Sequence, residues 1–139
     1  IHGYACSVKS LYGPSYALLG NAAEFLDPVF SSGVTIALKS AQLATGLIDR
    51  QLNGETVDWQ KEFSDELYVG IDTFRACVAT WYDESLQRII FNKPDETNDI
   101  VRHLTSVLAG YAWDRNNPIV QQPDRYLKTV DRFLTTMAE

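Results

Sequence analysis

The chain has 139 residues, 45% of them hydrophobic and 22% charged, with a formal net charge of −6 and a pI near 4.8. That is enough chain for one domain with a real core, and the composition is that of a globular protein rather than a disordered one. The acidic balance and the scattered Lys and Arg argue against a nucleic-acid partner, because phosphate binding needs a positive field. No apolar run reaches the length of a membrane span, and no basic region precedes an apolar stretch at the start. The expectation is a soluble, cytoplasmic protein with no membrane contact.

The first 20 residues hold two short β-type runs, residues 4–8 and 16–19, with Gly13-Pro14-Ser15 as a turn signal between them. They predict a short N-terminal β hairpin, which cannot stand alone as a sheet. From Gly33 the pattern turns helical. Val34, Ala37, Leu38, Ala41, Ala44, Ile48 and Leu52 fall on one face and are expected inward, with Ser31 or Ser32 as the cap and Asn53-Gly54 as the stop.

A second helix is predicted from Thr56 or Asp58 to about Phe91, with Trp59, Phe63, Leu67, Ile71, Phe74, Val78, Trp81, Ser85 and Ile89 at helical spacing. Gly70 is a candidate bend, and Asn92-Lys93-Pro94 is the stop. A third helix opens at Asp95 and runs through about Ala109, with Ile100, Val101, Leu104, Val107 and Leu108 inward and Gly110 as the stop. A loop over residues 111–122 leads to a last helix with Pro123 in its first turn. Its apolar face is Tyr126, Leu127, Val130, Phe133, Leu134 and Met137. The fold class is therefore mainly α with a short N-terminal β hairpin. The organisation expected is one segment: hairpin and loop over residues 1–32, first helix over 33–54, helical region over 55–139.

Cys6 and Cys77 have no paired spacing with each other or with His2 and His103, so a metal site is not expected and two free thiols are. A disulfide between them stays the lesser alternative. His103 sits among apolar helix positions and reads as packing or surface.

The run Leu19-Gly20-Asn21-Ala22-Ala23-Glu24-Phe25-Leu26-Asp27-Pro28-Val29-Phe30-Ser31-Ser32-Gly33-Val34 carries the most chemistry. It reads as a strand end, a glycine turn, a proline-bounded loop and the first turn of a helix. Gly20 and the alanines permit close approach. Residues 31–34 offer backbone N–H groups at a helix N-terminus, where negative charge is favoured. On physics alone, plain helix capping is the stronger account and a bound anionic group the alternative.

The same run resembles the second FAD-contacting motif of flavoprotein monooxygenases of the p-hydroxybenzoate hydroxylase type, in which Gly-Asp-Ala-Ala is followed by Asp-Pro and a Ser-Ser-Gly-Val helix start. It is most similar to the flavin-dependent halogenase branch. Trp81-Tyr82, Gly110-Tyr111-Ala112-Trp113-Asp114 and Asn116-Asn117-Pro118 resemble the helical C-terminal region of that branch.

The resemblance implies the C-terminal portion of an α+β FAD-dependent monooxygenase fold. It also implies FAD as cofactor of a longer parent, bound by Gly20, Asn21, Asp27, Pro28, Ser32, Gly33 and Val34. Asn21 stands where the family has an acidic residue; it still accepts through its side-chain oxygen. Gly33 and Val34 would turn their amides to the N1 and O2 edge of the isoalloxazine.

The Gly-x-Gly-x-x-Gly fingerprint for the ADP half of FAD is absent. The partner expected is accordingly a missing N-terminal FAD-binding portion, which would also hold the halogenases' catalytic lysine. That role is not assigned to Lys39, and no catalytic residue is assigned here. Phe30 replaces a glutamate of tryptophan halogenases, which favours phenols or carrier-bound aromatic small molecules as substrates.

Phe30, Trp81, Tyr82, Tyr111 and Trp113 read first as core packing, with substrate lining as the alternative. The chain alone is expected to be inactive. A non-catalytic helical fragment that pairs with a second copy, and a reductase of the geranylgeranyl reductase type, remain the rival readings.

Overall fold

The computed structural model describes residues 6–91 and 99–138, with side chains described to residue 136. His2, the start of the first expected strand, the stop at Asn92-Lys93-Pro94, the Asp95 helix start and the Met137 side chain lie outside the described residues. The chain forms two compact units, Ile1–Ile71 and Asp72–Glu139.

In the first unit four two-residue strands come before the helices: β1 (Cys6–Ser7), β2 (Tyr12–Gly13), β3 (Tyr16–Ala17) and β4 (Glu24–Phe25). β2 and β3 form a tight antiparallel hairpin, Tyr12 facing Ala17 and Gly13 facing Tyr16. β1 pairs instead with β4, Cys6 facing Phe25 and Ser7 facing Glu24. The hairpin is therefore shorter than the sequence suggests, and the two expected strands do not pair with each other.

The reason is local. Any Cβ at Gly13 would lie 2.4 Å from the Tyr16 ring, so glycine lets that ring fold over its own turn. The turn then closes its own ladder, extended by Leu18 N–H donating to the Leu11 carbonyl at 2.8 Å. Gly20, at φ +53°, turns the chain back toward β1.

α1 spans Gly33–Leu52 and buries Ile36, Ser40, Ala44 and Leu47. This corrects the expected face. Of the residues placed inward from the sequence, Val34 is 70% exposed, Leu38 69%, Ile48 45% and Leu52 82%. The helix carries two apolar stripes at helical spacing, and periodicity alone does not choose between them.

Packing chooses the stripe through Ser40, whose Oγ accepts the buried Gly20 N–H at 3.0 Å. α1 ends in a Schellman turn at Gly54, φ +87°. Gly54 N–H donates to the Gln51 carbonyl and Glu55 N–H to the Arg50 carbonyl. The Arg50 guanidinium bonds both Glu55 and Glu62 and holds the Glu62 carboxyl below its usual range.

The next helix starts at Asp58, one of the two expected caps. Its Oδ1 accepts Lys61 N–H at 3.0 Å, and its own N–H donates to Glu62 Oε1 at 3.0 Å. A π-helical turn, Gln60–Asp65, leads into α2 (Glu66–Tyr82). Phe63, Leu67 and Ile71 are fully buried, as their spacing predicts.

The predicted single helix to Phe91 is two. The helix continues through Gly70 and stops at Asp83-Glu84; α3 follows over Ser85–Phe91. Glu84 takes φ +67°, and Asp83 Oδ1 accepts Ser85 N–H at 3.0 Å and also the Ser85 hydroxyl. An Asp able to cap from inside a periodic run is what breaks the rod.

In the second unit α4 (Asp99–Leu108) ends in a second Schellman turn at Gly110, φ +105°. Gly110 N–H donates to the Val107 carbonyl and Tyr111 N–H to the Ser106 carbonyl. α5 (Pro118–Gln121) is a short helix inside the expected loop, and α6 (Pro123–Ala138) is the predicted last helix. Leu127 and Val130 of α6 are buried, while Phe133, expected inward, is 54% exposed.

Arg88 of α3 grips Asp131 of α6 through both carboxylate oxygens, at 2.8 and 2.9 Å. Asn117 is buried; its Nδ2 donates to the His103 carbonyl at 2.9 Å and its Oδ1 accepts Ile119 N–H at 3.0 Å. Among the described residues no helix is long and apolar enough to cross a membrane, and no cluster of three His, Cys, Asp or Glu could hold a metal. Cys6 and Cys77 are free thiols.

Candidate functional site

The run singled out from the sequence lies wholly in the first unit and folds as a chain of tight turns against α1. After β3 the backbone makes a 3-10 turn over Gly20–Ala22, with Ala22 N–H donating to the Leu19 carbonyl and Ala23 N–H to the Gly20 carbonyl. Gly20 is buried and is fixed twice. Its φ is left-handed, and any Cβ there would lie 3.1 Å from Ala37 Cβ. Its N–H reaches Ser40 Oγ, which in turn donates to the Ala37 carbonyl at 2.9 Å.

β4 then leads to a second 3-10 turn, Pro28–Phe30, which Asp27 caps by accepting Val29 N–H at 3.0 Å. Ser31 closes it in the left-handed region at φ +53°, its N–H on the Pro28 carbonyl. α1 begins immediately afterwards.

That helix start is not capped as expected. Ser32 has helical dihedrals and makes no side-chain cap bond; it is 3% exposed. The first intrahelical bond is Ile36 N–H to the Ser32 carbonyl. The N–H groups of residues 33–35 come before that bond and have no acceptor within the helix. The macrodipole adds partial positive charge at the same place.

In front of these groups lies a groove of about 500 Å³ lined by Asn21, Phe25, Leu26, Pro28, Ser31, Gly33, Val34 and Ala37. A methyl on Gly33 would lie 3.4 Å from Asn21 Oδ1, so that side-chain oxygen and the helix start face each other closely.

Four of the seven sequence-predicted site residues therefore line one groove: Asn21, Pro28, Gly33 and Val34. The other three stand behind it. Gly20 packs on α1, Asp27 shapes the turn, and Ser32 is buried at the helix start. Phe25, Leu26, Ser31 and Ala37 are the other lining residues, of which the sequence pointed only to Ser31, for its backbone N–H. Three of them sit inside the motif run, and Ala37 lies one turn beyond Gly33, so the run itself was the available signal.

The groove pairs apolar walls with donors at one end. That suits a flat apolar ring with an electron-rich edge, and an isoalloxazine is such a group. The glycine at residue 33 keeps open the space beside Asn21 that a larger side chain would fill. The residues present fit the flavin.

A larger hollow, about 560 Å³, lies elsewhere in the first unit, among Tyr12, Gly13, Pro14, Ser15, Tyr16, Ala17, Ile48, Gln51 and Trp59. Its walls are held by Trp59 Nε1 donating to Gln51 at 3.2 Å and by the near-parallel Tyr12 and Trp59 rings 6.2 Å apart. It contains none of the motif run.

The aromatic residues considered for substrate lining separate. Phe30, Trp81 and Trp113 are half-buried, with Trp113 edge-on to Phe74 at 6.3 Å, whereas Tyr82 and Tyr111 are each 66% exposed and are not core.

No protein-family profile matches the chain. It is 39% identical over 80 residues to a 1H-pyrrole-2-carbonyl-(peptidyl-carrier protein) chlorinase from Pseudomonas fluorescens, covering 58% of this chain and 17% of that protein. It is 33% identical over 88 residues to a tryptophan 2-halogenase from Chondromyces crocatus, covering 61% of this chain and 17% of that protein. A solved flavoprotein/dehydrogenase from Cytophaga hutchinsonii superposes with a TM-score of 0.92 at 46% identity, covering 99% of this chain and 34% of that one. The chain is thus similar to a part of flavin-dependent halogenases and to about a third of a flavoprotein, as its motif run leads one to expect.

Proposed function

We propose that this chain forms the isoalloxazine-facing side of the cofactor site in a longer FAD-dependent oxidoreductase, a monooxygenase or halogenase. One observation carries the reading: Asn21, Pro28, Gly33 and Val34 line a single groove at a helix start that no side chain caps. Serines at both expected cap positions leave those N–H groups available, which is what an electron-rich ligand edge requires.

The roles follow from the geometry. The N–H groups of Gly33 and Val34 point the positive end of α1 at the ring edge that gains negative charge on reduction, which favours the reduced cofactor. Asn21 offers an oxygen acceptor beside them, without the charge of an aspartate. Phe25, Leu26 and Pro28 supply apolar wall and exclude water, and Asp27 holds the loop that presents Pro28. FAD, when bound, would supply the redox chemistry that activates oxygen.

The ADP half of the cofactor would be held by a further portion of the protein carrying the dinucleotide fingerprint, because this chain lacks one. Without that portion the chain alone would be inactive. The substrate class that fits best is a small aromatic molecule, free or attached to a carrier. By the resemblance Phe30 stands where tryptophan halogenases carry a glutamate, and the similarity to a pyrrole-carrier chlorinase supports the carrier-bound form.

The test is retention of flavin absorbance by the complete protein after gel filtration with FAD. Retention is expected, and Gly33→Val is expected to abolish it while leaving the circular dichroism unchanged. A complete protein that takes up no FAD, or a Gly33→Val protein that retains it fully, overturns the reading.

A further inference from the structure

The last helix carries a charge pattern that its packing does not use. Arg125, Lys128 and Arg132 recur at intervals of three and four residues, so they stand in one row on the side of α6 away from buried Leu127 and Val130. All three are exposed. The row is about 10 Å long at the standard rise per residue. Among the described residues none of the three is paired with a carboxylate, and Arg125 bonds the neutral side chain of Gln122 at 3.1 Å. Arg50, Arg75, Arg88 and Arg102, by contrast, each hold a carboxylate.

The carboxylates nearby do not cancel the row. Asp124 and Asp131 lie about a quarter-turn away on the flank of the helix. Asp131 is gripped by Arg88 through both oxygens. Asp83, whose field reaches Lys128, is turned onto the Ser85 hydroxyl and N–H. Beside the row Thr129 and Phe133 form the next ridge, one turn apart, and Phe133 is 54% exposed. An aromatic ring next to uncancelled arginines is the make-up of a protein-binding face. In a chain of net charge −6 the row is a local field of the opposite sign.

We infer that this face docks the carrier that brings the substrate, a small acidic protein holding the aromatic group on a phosphopantetheine arm. The inference rests on the carrier-attached substrate proposed above. An enzyme acting on a tethered group must hold the body that bears the tether as well as the group itself. The arm joins its carrier through a phosphodiester, so a fixed negative charge sits where the carrier meets the enzyme. Arg125, Lys128 and Arg132 match that charge and the carrier's own carboxylates, and Phe133 supplies the apolar contact. A second copy brings no such phosphate, and a nucleic acid is repelled by the acidic balance of the rest of the chain.

The experiment uses the complete protein and, as probes, the carrier proteins encoded in the same genome, each purified with its phosphopantetheine arm and a fluorescent label. Anisotropy titrations are run at about 50 and 200 mM salt, and at least one carrier is expected to bind, more weakly at the higher salt. Changing Arg125→Glu, Lys128→Glu and Arg132→Glu together is expected to weaken that binding about tenfold or more, and Phe133→Ala about fivefold. The same three positions changed to Gln should fall between parent and reversal. Arg102→Glu, on α4, should change it by less than about twofold. Circular dichroism and FAD retention should match the parent throughout; if the reversed row fails to fold, the Gln row decides.

The inference is overturned if no carrier binds, if binding ignores the row, or if Arg102→Glu costs as much as the row does. Row-dependent binding to phosphatidylserine vesicles, or row-dependent dimerisation, without carrier binding also overturns it and gives the face to a lipid surface or a second copy. Row-dependent carrier binding by a protein that never takes up FAD leaves this face standing and sinks the flavin reading. FAD retention without carrier binding does the reverse.

Discussion

Two helix starts, one in each unit, use similar residues in opposite ways. At Pro118 the preceding Asn117 turns its side chain onto the Ile119 N–H and ties itself to the His103 carbonyl. Both polar atoms of that side chain are used in holding the fold. At Gly33 two serines precede the helix, yet Ser32 is buried with helical dihedrals and caps nothing. A small residue at Gly33 and a short polar one at Asn21 keep the front of that start open. The lesson is that cap-type residues in a sequence do not announce a cap. Whether they make one separates a start that stabilises the protein from one free to meet a ligand.

The largest effect expected on that contrast comes from Asn117→Ala. It removes a cap and leaves the His103 carbonyl without its side-chain donor, so urea denaturation should show a loss of about 2–4 kcal/mol. Gly20→Ala comes next, at about 1–3 kcal/mol, since it strains a left-handed position and crowds Ala37. By contrast Ser31→Gly, at φ +53°, should leave stability within about 0.5 kcal/mol of the parent or raise it, in the same assay. A loss as large as that of Asn117→Ala would erase the distinction between the two starts.

On the ligand side, Asn21→Asp in the complete protein should tighten FAD retention, by roughly tenfold if one charge-assisted bond worth about 1.4 kcal/mol is gained. Unchanged or weaker binding in a fluorescence titration would show that the residue does not face the cofactor.

A smaller effect is chemical. Burial pushes the Cys77 thiol up to about 12, so at pH 8 it should stay unlabelled by iodoacetamide while exposed Cys6 reacts. Equal labelling would mean that α2 opens readily. The smallest concerns acid. Arg50 holds the Glu62 carboxyl below its ordinary range, so that pair stabilises above the usual carboxylate pKa and its help is lost as the pH falls through the lowered one. Glu62→Gln should flatten the acid limb of a thermal-melt series slightly, and more so at low salt.

Much of this was legible in the sequence because it rests on local rules. Gly54 and Gly110 stop their helices as Schellman glycines, Asp58 caps, Pro123 opens α6, and the buried spacing Phe63, Leu67, Ile71 and Phe74 holds. What was not legible depended on choices between locally equal options. Two stripes of α1 satisfy the same period, and the one buried is the one on which Ser40 accepts the Gly20 N–H beside Ile36, Ala44 and Leu47. Asp83 sits in register within a long apolar rhythm, so its capping of α3 shows only when Glu84 takes a positive φ. The strand pairing depended on a ring folding over Gly13. At the site, the motif run named Asn21, Pro28, Gly33 and Val34, while Gly20, Asp27 and Ser32 stand behind the groove: Gly20 is held by the Ser40 hydroxyl, Asp27 by the Val29 N–H, and Ser32 is buried.

The serine at residue 40 has a consequence for how a ligand would arrive. Its hydroxyl links the Gly20 amide to the Ala37 carbonyl, so the loop bearing Asn21 and the helix bearing Val34 are joined by a buried bolt just behind the groove. Those two hydrogen bonds tie the walls to each other. Such a groove is shaped before anything enters it, and little ordering entropy is left to lose on association. A partner would find a mould already set, not a clamp that must close.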